Sequence, residues 1–301
     1  MFDCDGRTGF EPISDVERKE FHDQGFLLLR QVLTEEHRAA LEAAVDRVHA
    51  EELDSPFGVG PDEALHLLGF LPRDDLFGQL LTHPATFPYV WGLLGWNVHS
   101  HHSHLDVTPP VRESAAPRWA WHQDGYRQNS DPETLDPDVP RPMLSLKIGY
   151  ILSDLSETGR GATKVIPGSH LKNRLARPAA VDGHQPDPPG AIEITAEPGD
   201  AFLFDRRLWH SRSHNRSSIT RKMLFIGYTY RWIRPLDDQQ VDRCSPWWRR
   251  LDPVQRQLLG EAPHAASHWG IDRNGAIDDT IPLRAELLRR GLLDRDIPWL
   301  R

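Results

Sequence analysis

From residue 97 onward the apolar pattern changes period, and this change limits the chain to a mainly β core. Residues 98–107 alternate along a strand, so His102, His104 and Asp106 share one face while His99, His101 and Leu105 share the other. Further strand patterns cover residues 143–152, 163–167, 191–196, 201–204 and 223–230. Turn signals separate them: Gly159-Arg160-Gly161, Pro167-Gly168 and Pro198-Gly199-Asp200. Short strands with Gly/Pro turns predict a sandwich or barrel, and no internal repeat breaks that reading.

The first third reads differently. Residues 21–24 close a short helix at Gly25, and residues 26–30 form an apolar run short enough for a buried strand. Thr34 is a good N-cap, with Glu35 and Glu36 in the first turn of a helix that carries Leu41, Ala44, Val45 and Val48 on one face. Residues 70–94 read as helical pieces broken by Pro72, Pro84 and Pro88. Two long connections, residues 129–142 and 177–190, are rich in proline, and the first is also acidic; the first is expected to be a lid. The last 65 residues look mixed and helical, with Trp247, Trp248 and Trp269. The expected organisation is one domain over 1–301: a helical part (1–95), a β core (96–235) and a helical tail (236–301).

A formal net charge of −9 over 301 residues, with no basic cluster interleaved with aromatics, argues against nucleic acid as a partner. There is no run of 18 apolar residues, so no membrane span is expected, and the N-terminus lacks the pattern of a signal peptide. Two cysteines far apart, Cys4 and Cys244, fit a reducing cytoplasm. Sixteen histidines raise the question of which are placed to bind a metal.

Trp121-His122-Gln123-Asp124-Gly125 supplies two ligands. A His and an Asp two apart on extended chain project to the same side and can share one ion. His210, at the end of a strand pattern, supplies a third. Two histidines and one carboxylate on one face of an octahedron, with open positions opposite, make the arrangement of non-haem iron(II) oxygenases. His-x-Asp alone recurs by chance. Arg221 adds to it: eleven residues after His210, on the strand expected to return beside it, its guanidinium can pair with a terminal carboxylate such as that of 2-oxoglutarate.

With these residues in place the chain resembles the phytanoyl-CoA dioxygenase family of iron(II)/2-oxoglutarate oxygenases, from about residue 20 to about residue 232. The resemblance rests on the opening Phe21–Arg30, the His122-Gln123-Asp124 motif, the stretch Gly161–His170 with its Pro167-Gly168-Ser169-His170, then Pro198-Gly199-Asp200, His210, Asn215 and Arg221. It implies a double-stranded β-helix, a cupin-like jelly roll with flanking helices. It also implies His122, Asp124 and His210 as iron ligands and Arg221 as the 2-oxoglutarate anchor. By the same resemblance His104 would contact the cosubstrate and Tyr150 would flank it. The family often has Ser or Thr two residues after the distal His; this chain has Arg212, a departure that leaves the second contact to the carboxylate to Ser211, Ser213 or His104. His170 is expected to be structural, and Lys147 receives no role.

The resemblance implies that iron(II), 2-oxoglutarate and O2 act together, with release of succinate and CO2 and hydroxylation of a small-molecule C–H bond. Asp124 argues against halogenation, since iron halogenases of this family have a small residue in its place. Two alternatives stand beside this reading: a non-catalytic metal-binding jelly roll, and an oxygenase acting on an acyl-CoA. The acidic balance of the chain argues for a small neutral or cationic substrate, with Trp119, Trp121 and the C-terminal tryptophans as apolar walls.

Overall fold

The computed structural model describes residues 9–56, 58–111, 120–124, 136, 139–181, 185–236, 241–261 and 281–293. The chain opens with α1 (Asp15–Gln24), started by a Ser14/Glu17 capping box and stopped at Gly25, whose φ of 82° is open to glycine at little cost. β1 (Phe26–Leu29) and α2 (Glu35–Leu53, capped by Thr34) follow as the pattern predicts. The next strand is not evident in the sequence: β2 (Leu65–Leu68) is four residues inside a segment that reads as helical. Pro72 and Pro88 do not break helices. Pro72 lies in the first turn of a short 3-10 helix and Pro88 in that of α4 (Phe87–Leu94), where a missing N–H costs nothing; α3 (Asp75–Gln79) lies between them.

The β core is built from β3 (Val98–Thr108), β4 (Ser145–Ile151), β5 (Thr163–Val165), β6 (Ile192–Glu193), β7 (Ala201–Asp205), β8 (His210–Arg212) and β9 (Arg221–Tyr230). A large antiparallel sheet runs β1-β7-β4-β9-β3-β2, and a small one runs β6-β5-β8. His122 extends the small sheet by an isolated antiparallel bridge to His210. Three short helices follow, α5 (Pro246–Arg250), α6 (Pro253–Leu258) and α7 (Pro282–Arg289). The expected fold holds: a jelly roll of two antiparallel sheets, with helices against the outer face of the larger one.

Strand parity explains the layering. Leu146, Ile148 and Tyr150 of β4, Ala201 and Leu203 of β7, and Leu224, Ile226 and Tyr228 of β9 belong to a core shared with the helices. Their neighbours Ile151, Phe202, Phe204, Met223 and Phe225 face the small sheet and pack with Val165, Ala162 and Leu208. Both faces of the large sheet are therefore buried, which is why residues 143–152 read as a nearly unbroken apolar run. Trp247 and Trp248 join the helical core, so they are not walls of a substrate site. Trp119, Trp269 and most of the 129–142 connection lie outside the described residues. Among the described residues no helix is long and apolar enough to cross a membrane.

Candidate metal and cosubstrate site

The two sheets enclose a cavity of about 910 Å³. Along β3, His102, His104, Asp106 and Thr108 face it, in the alternation expected from the sequence; a register irregularity between Ser100 and His102 displaces His101 from strict alternation.

His122, Asp124 and His210 converge on the cavity wall. Each imidazole Nε2 lies 3.7 Å from Asp124 Oδ1, and the ligand atoms of all three lie within 4.8 Å of one another. The spacing of the two histidines is set by the backbone: His122 N–H donates to His210 O at 3.0 Å, and His210 N–H donates to His122 O at 2.9 Å. Each ring is also fixed from behind. His122 Nδ1 donates to Ala120 O at 2.7 Å and His210 Nδ1 to Leu208 O at 2.8 Å. A carbonyl can only accept, so both Nδ1 atoms carry a proton, and both Nε2 atoms are turned toward a common point. Between the ligands, Gln123 points the other way and ties the segment down: its amide donates to Lys172 O and Arg207 O and accepts from Arg141.

Asp124 is held by two cations. Lys147 Nζ contacts its Oδ2, and Arg206 Nε reaches the same oxygen at 3.3 Å. Arg206 donates in turn to His101 Nε2, and His101 Nδ1 donates to Gly227 O at 3.1 Å. Oδ2 is thus occupied and Oδ1 is left facing the histidines. Burial works to raise the Asp124 pKa, but Lys147 and Arg206 outweigh it and hold the carboxyl well below the usual range. Burial lowers His210 to about 3, which keeps it neutral. The donor set of two imidazoles and one carboxylate oxygen fits a divalent iron ion.

Arg221, first residue of β9 and paired across from Thr108, is buried in the same cavity. Its Nη1 is 3.3 Å from Asp106 Oδ2, while its Nε has no hydrogen-bond partner. A buried guanidinium N–H left unpaired is costly, and the residue that carries it lines a cavity wide enough for a small carboxylate. Gly161 makes the approach possible: a Cβ there would sit 3.1 Å from Arg221 Cδ, and its φ is +82°. The departure at Arg212 is also explained. Its Nη1 reaches Thr108 Oγ1 at 3.3 Å and lies 3.9 Å from Asp106 Oδ2, so Arg212 and Arg221 both flank the Asp106 carboxylate at the cavity wall.

The remaining expected residues divide. His104 lines the cavity, stacked on Phe225 with Nδ1 at 2.9 Å from His102 Nε2. Tyr150 does not line it. The tyrosine points into the helical core, where its hydroxyl meets Thr86 Oγ1 at 2.7 Å and donates to Leu80 O at 3.0 Å. The reason is parity: on β4 the cavity side belongs to Lys147, and Tyr150 is three residues away. His170 is structural as expected, with Nε2 donating to His22 O and its ring beside Gly25. Lys147, Arg206, Asp106 and Gln123 were missed. One signal was available: Lys147 is a lone charge in an apolar strand pattern, which demands a buried partner.

Comparison with known proteins identifies the family. The family model for phytanoyl-CoA dioxygenase (PhyH) matches residues 21–223, and the chain belongs to that family. Ectoine dioxygenase of Bordetella bronchiseptica is 24% identical over 72% of this chain and 76% of its own. Among solved structures, EctD from S. alaskensis with 2-oxoglutarate and 5-hydroxyectoine superposes with a TM-score of 0.56 at 21% identity, covering 78% of this chain and 83% of that one. The epimerase SnoN, in complex with Fe3+, alpha ketoglutarate and nogalamycin RO, gives 0.55 at 21% identity, covering 77% and 92%. The protein is a dioxygenase of this family.

Proposed function

We propose that the chain, acting as one unit over 1–301, is an iron(II)/2-oxoglutarate-dependent dioxygenase that hydroxylates a C–H bond of a small molecule. The observation that carries this is the convergence of His122 Nε2, Asp124 Oδ1 and His210 Nε2 in a cavity that also holds a buried arginine with an unpaired N–H. His122, Asp124 and His210 would hold the metal. Arg221 would take the distal carboxylate of 2-oxoglutarate, and Arg212 with Thr108 would supply the contact that a Ser or Thr gives elsewhere in the family. Both structural neighbours carry 2-oxoglutarate in their crystals, and one carries iron.

When bound, iron(II) supplies the redox chemistry that couples conversion of 2-oxoglutarate and O2 to succinate and CO2 with transfer of one oxygen atom to the substrate. The protein's own part is placement. The two Nδ1 bonds hold both imidazoles in a single tautomer, and Lys147 and Arg206 keep Asp124 a one-oxygen donor. Arg221 fixes one end of the cosubstrate, leaving its oxo-acid end toward the triad. Phe204 and Phe225 line the apolar side of the cavity and limit water there. The side chain of His122 is 49% exposed, which leaves the triad reachable from the cavity mouth.

The cavity also revises the substrate expectation. Among the described residues its charged lining is Lys147, Arg206, Arg212 and Arg221 against Asp106 and Asp124, so the acidic balance of the whole chain does not describe these walls. A preference for a cationic substrate does not follow.

Anaerobic titration with iron(II) and then 2-oxoglutarate should give the weak visible absorption of the chelate. His122→Ala and Asp124→Ala should lose it and lose turnover. Arg221→Ala and Arg212→Ala should retain metal binding but require about tenfold or more 2-oxoglutarate, the loss expected for one charge-assisted contact. No absorption in the unaltered protein would leave the metal-binding module as the better reading. Screening metabolite pools for a +16 Da product with matching succinate release would then identify the substrate.

A further inference from the structure

A second cluster in the cavity repeats the design of the first. His66 on β2 is the cross-strand partner of Asp106 on β3, and His104 lies two residues before Asp106 on the same face. His66 Nδ1 donates to Asp106 Oδ1 at 2.7 Å, and His104 Nε2 lies 4.0 Å from that same oxygen. The two rings are 4.5 Å apart between centroids, and the three ligand atoms lie within 4.8 Å of one another.

We propose that His66, His104 and Asp106 form a second divalent-cation site, distinct from the His122–Asp124–His210 triad and open to zinc(II) or cobalt(II).

The supporting contacts differ from ligand to ligand. As at Asp124, the outer oxygen of the carboxylate is occupied by arginine: Oδ2 of Asp106 meets Arg221 at 3.3 Å, so Oδ1 is the oxygen presented to the imidazoles. His104 has a partner behind it. One of His104 Nδ1 and His102 Nε2 must donate across their 2.9 Å contact, and donation from His104 leaves its Nε2 lone pair facing Asp106. The third ligand supplies access and adjustment. The His66 side chain is 56% exposed at the cavity edge, so its ring can exchange its proton from Nδ1 to Nε2 through solvent and open its short contact with Asp106 to the separation that two ligands of one ion require. Two imidazoles and a carboxylate are a donor set for zinc or cobalt, with remaining positions left to water. The short His66–Asp106 hydrogen bond, which an ion must displace, makes this site the weaker of the two.

The test uses metal alone on the full chain, freed of metal by a chelator and checked for fold by circular dichroism. Calorimetric titration with zinc(II) should show two equivalents per chain, the second at least tenfold weaker. His210→Ala should keep the weaker equivalent, and cobalt(II) added to it should give the d–d absorption of a nitrogen/oxygen site. His66→Ala and His104→Gln should each keep the tighter equivalent and lose the weaker one. A single equivalent lost in His66→Ala yet kept in His210→Ala would still support this site while removing the first. A wild type with one equivalent that His66→Ala does not affect, or a second equivalent surviving both His66→Ala and His104→Gln, would overturn the proposal.

Discussion

Lys147 and Tyr150 sit three positions apart on β4, and an odd separation sends them to opposite faces of the sheet. That parity was available in the sequence; which face meets the cavity was not, because both faces of this sheet are apolar and buried. The candidate ligands were legible for another reason. His122 and Asp124 are polar residues two apart on extended chain, and His210 and Arg221 stand at distances a returning strand can close. Arg206 and Asp106 carry no such mark: each acquires meaning only from the partner that folding brings to it. Tyr150→Phe should cost about 1–2 kcal/mol of stability through its lost hydrogen bonds and leave the 2-oxoglutarate KM unchanged, as chemical denaturation and steady-state kinetics would show. Lys147→Met has a less obvious outcome. It removes one of two cations competing with a metal for Asp124, while Arg206 still holds Oδ2. Divalent metal should bind about tenfold tighter by calorimetry, a shift of about 1.4 kcal/mol; weaker binding would mean that Lys147 matters more for aiming the carboxylate than for its charge.

At the scale of elements, caps and periodicity carried most of the information. Gly25 ends α1 and Thr34 starts α2 as read from the sequence, because both signals are local. β2 was invisible because four residues cannot establish a period, and its pairing with β3 is a tertiary fact. The helical layer also makes a pH prediction. His37 of α2 is buried and stacked on His83 at 5.5 Å, and burial lowers its pKa to about 4. Above about pH 6.5 it is neutral in both the folded and the unfolded chain and has no effect on the balance. As pH falls below that value the unfolded chain takes up a proton that the folded one refuses, so stability declines until about pH 4 and the effect is then complete. Urea denaturation of His37→Leu should show a shallower decline across this window than the unaltered protein.

The molecule as a whole does not depend on a metal for its core. The helical core and the one between the sheets close around apolar side chains, and Tyr150 and Tyr228 fasten the large sheet to Leu80 and Leu81 by their hydroxyls. Chelation should therefore leave the far-ultraviolet spectrum intact, while saturating iron(II) or zinc(II) should raise Tm by a few degrees, in line with about 3 kcal/mol of linkage at a hundredfold excess over Kd. Among the described residues, the backbone of the segment bearing His122 is joined to the small sheet by one reciprocal pair of bonds to His210. Those two amides close the same ring of atoms, so opening one opens the other. In hydrogen–deuterium exchange they should trade protons at a common rate in the metal-free protein and slow together on loading, a paired clock for occupancy that needs no substrate.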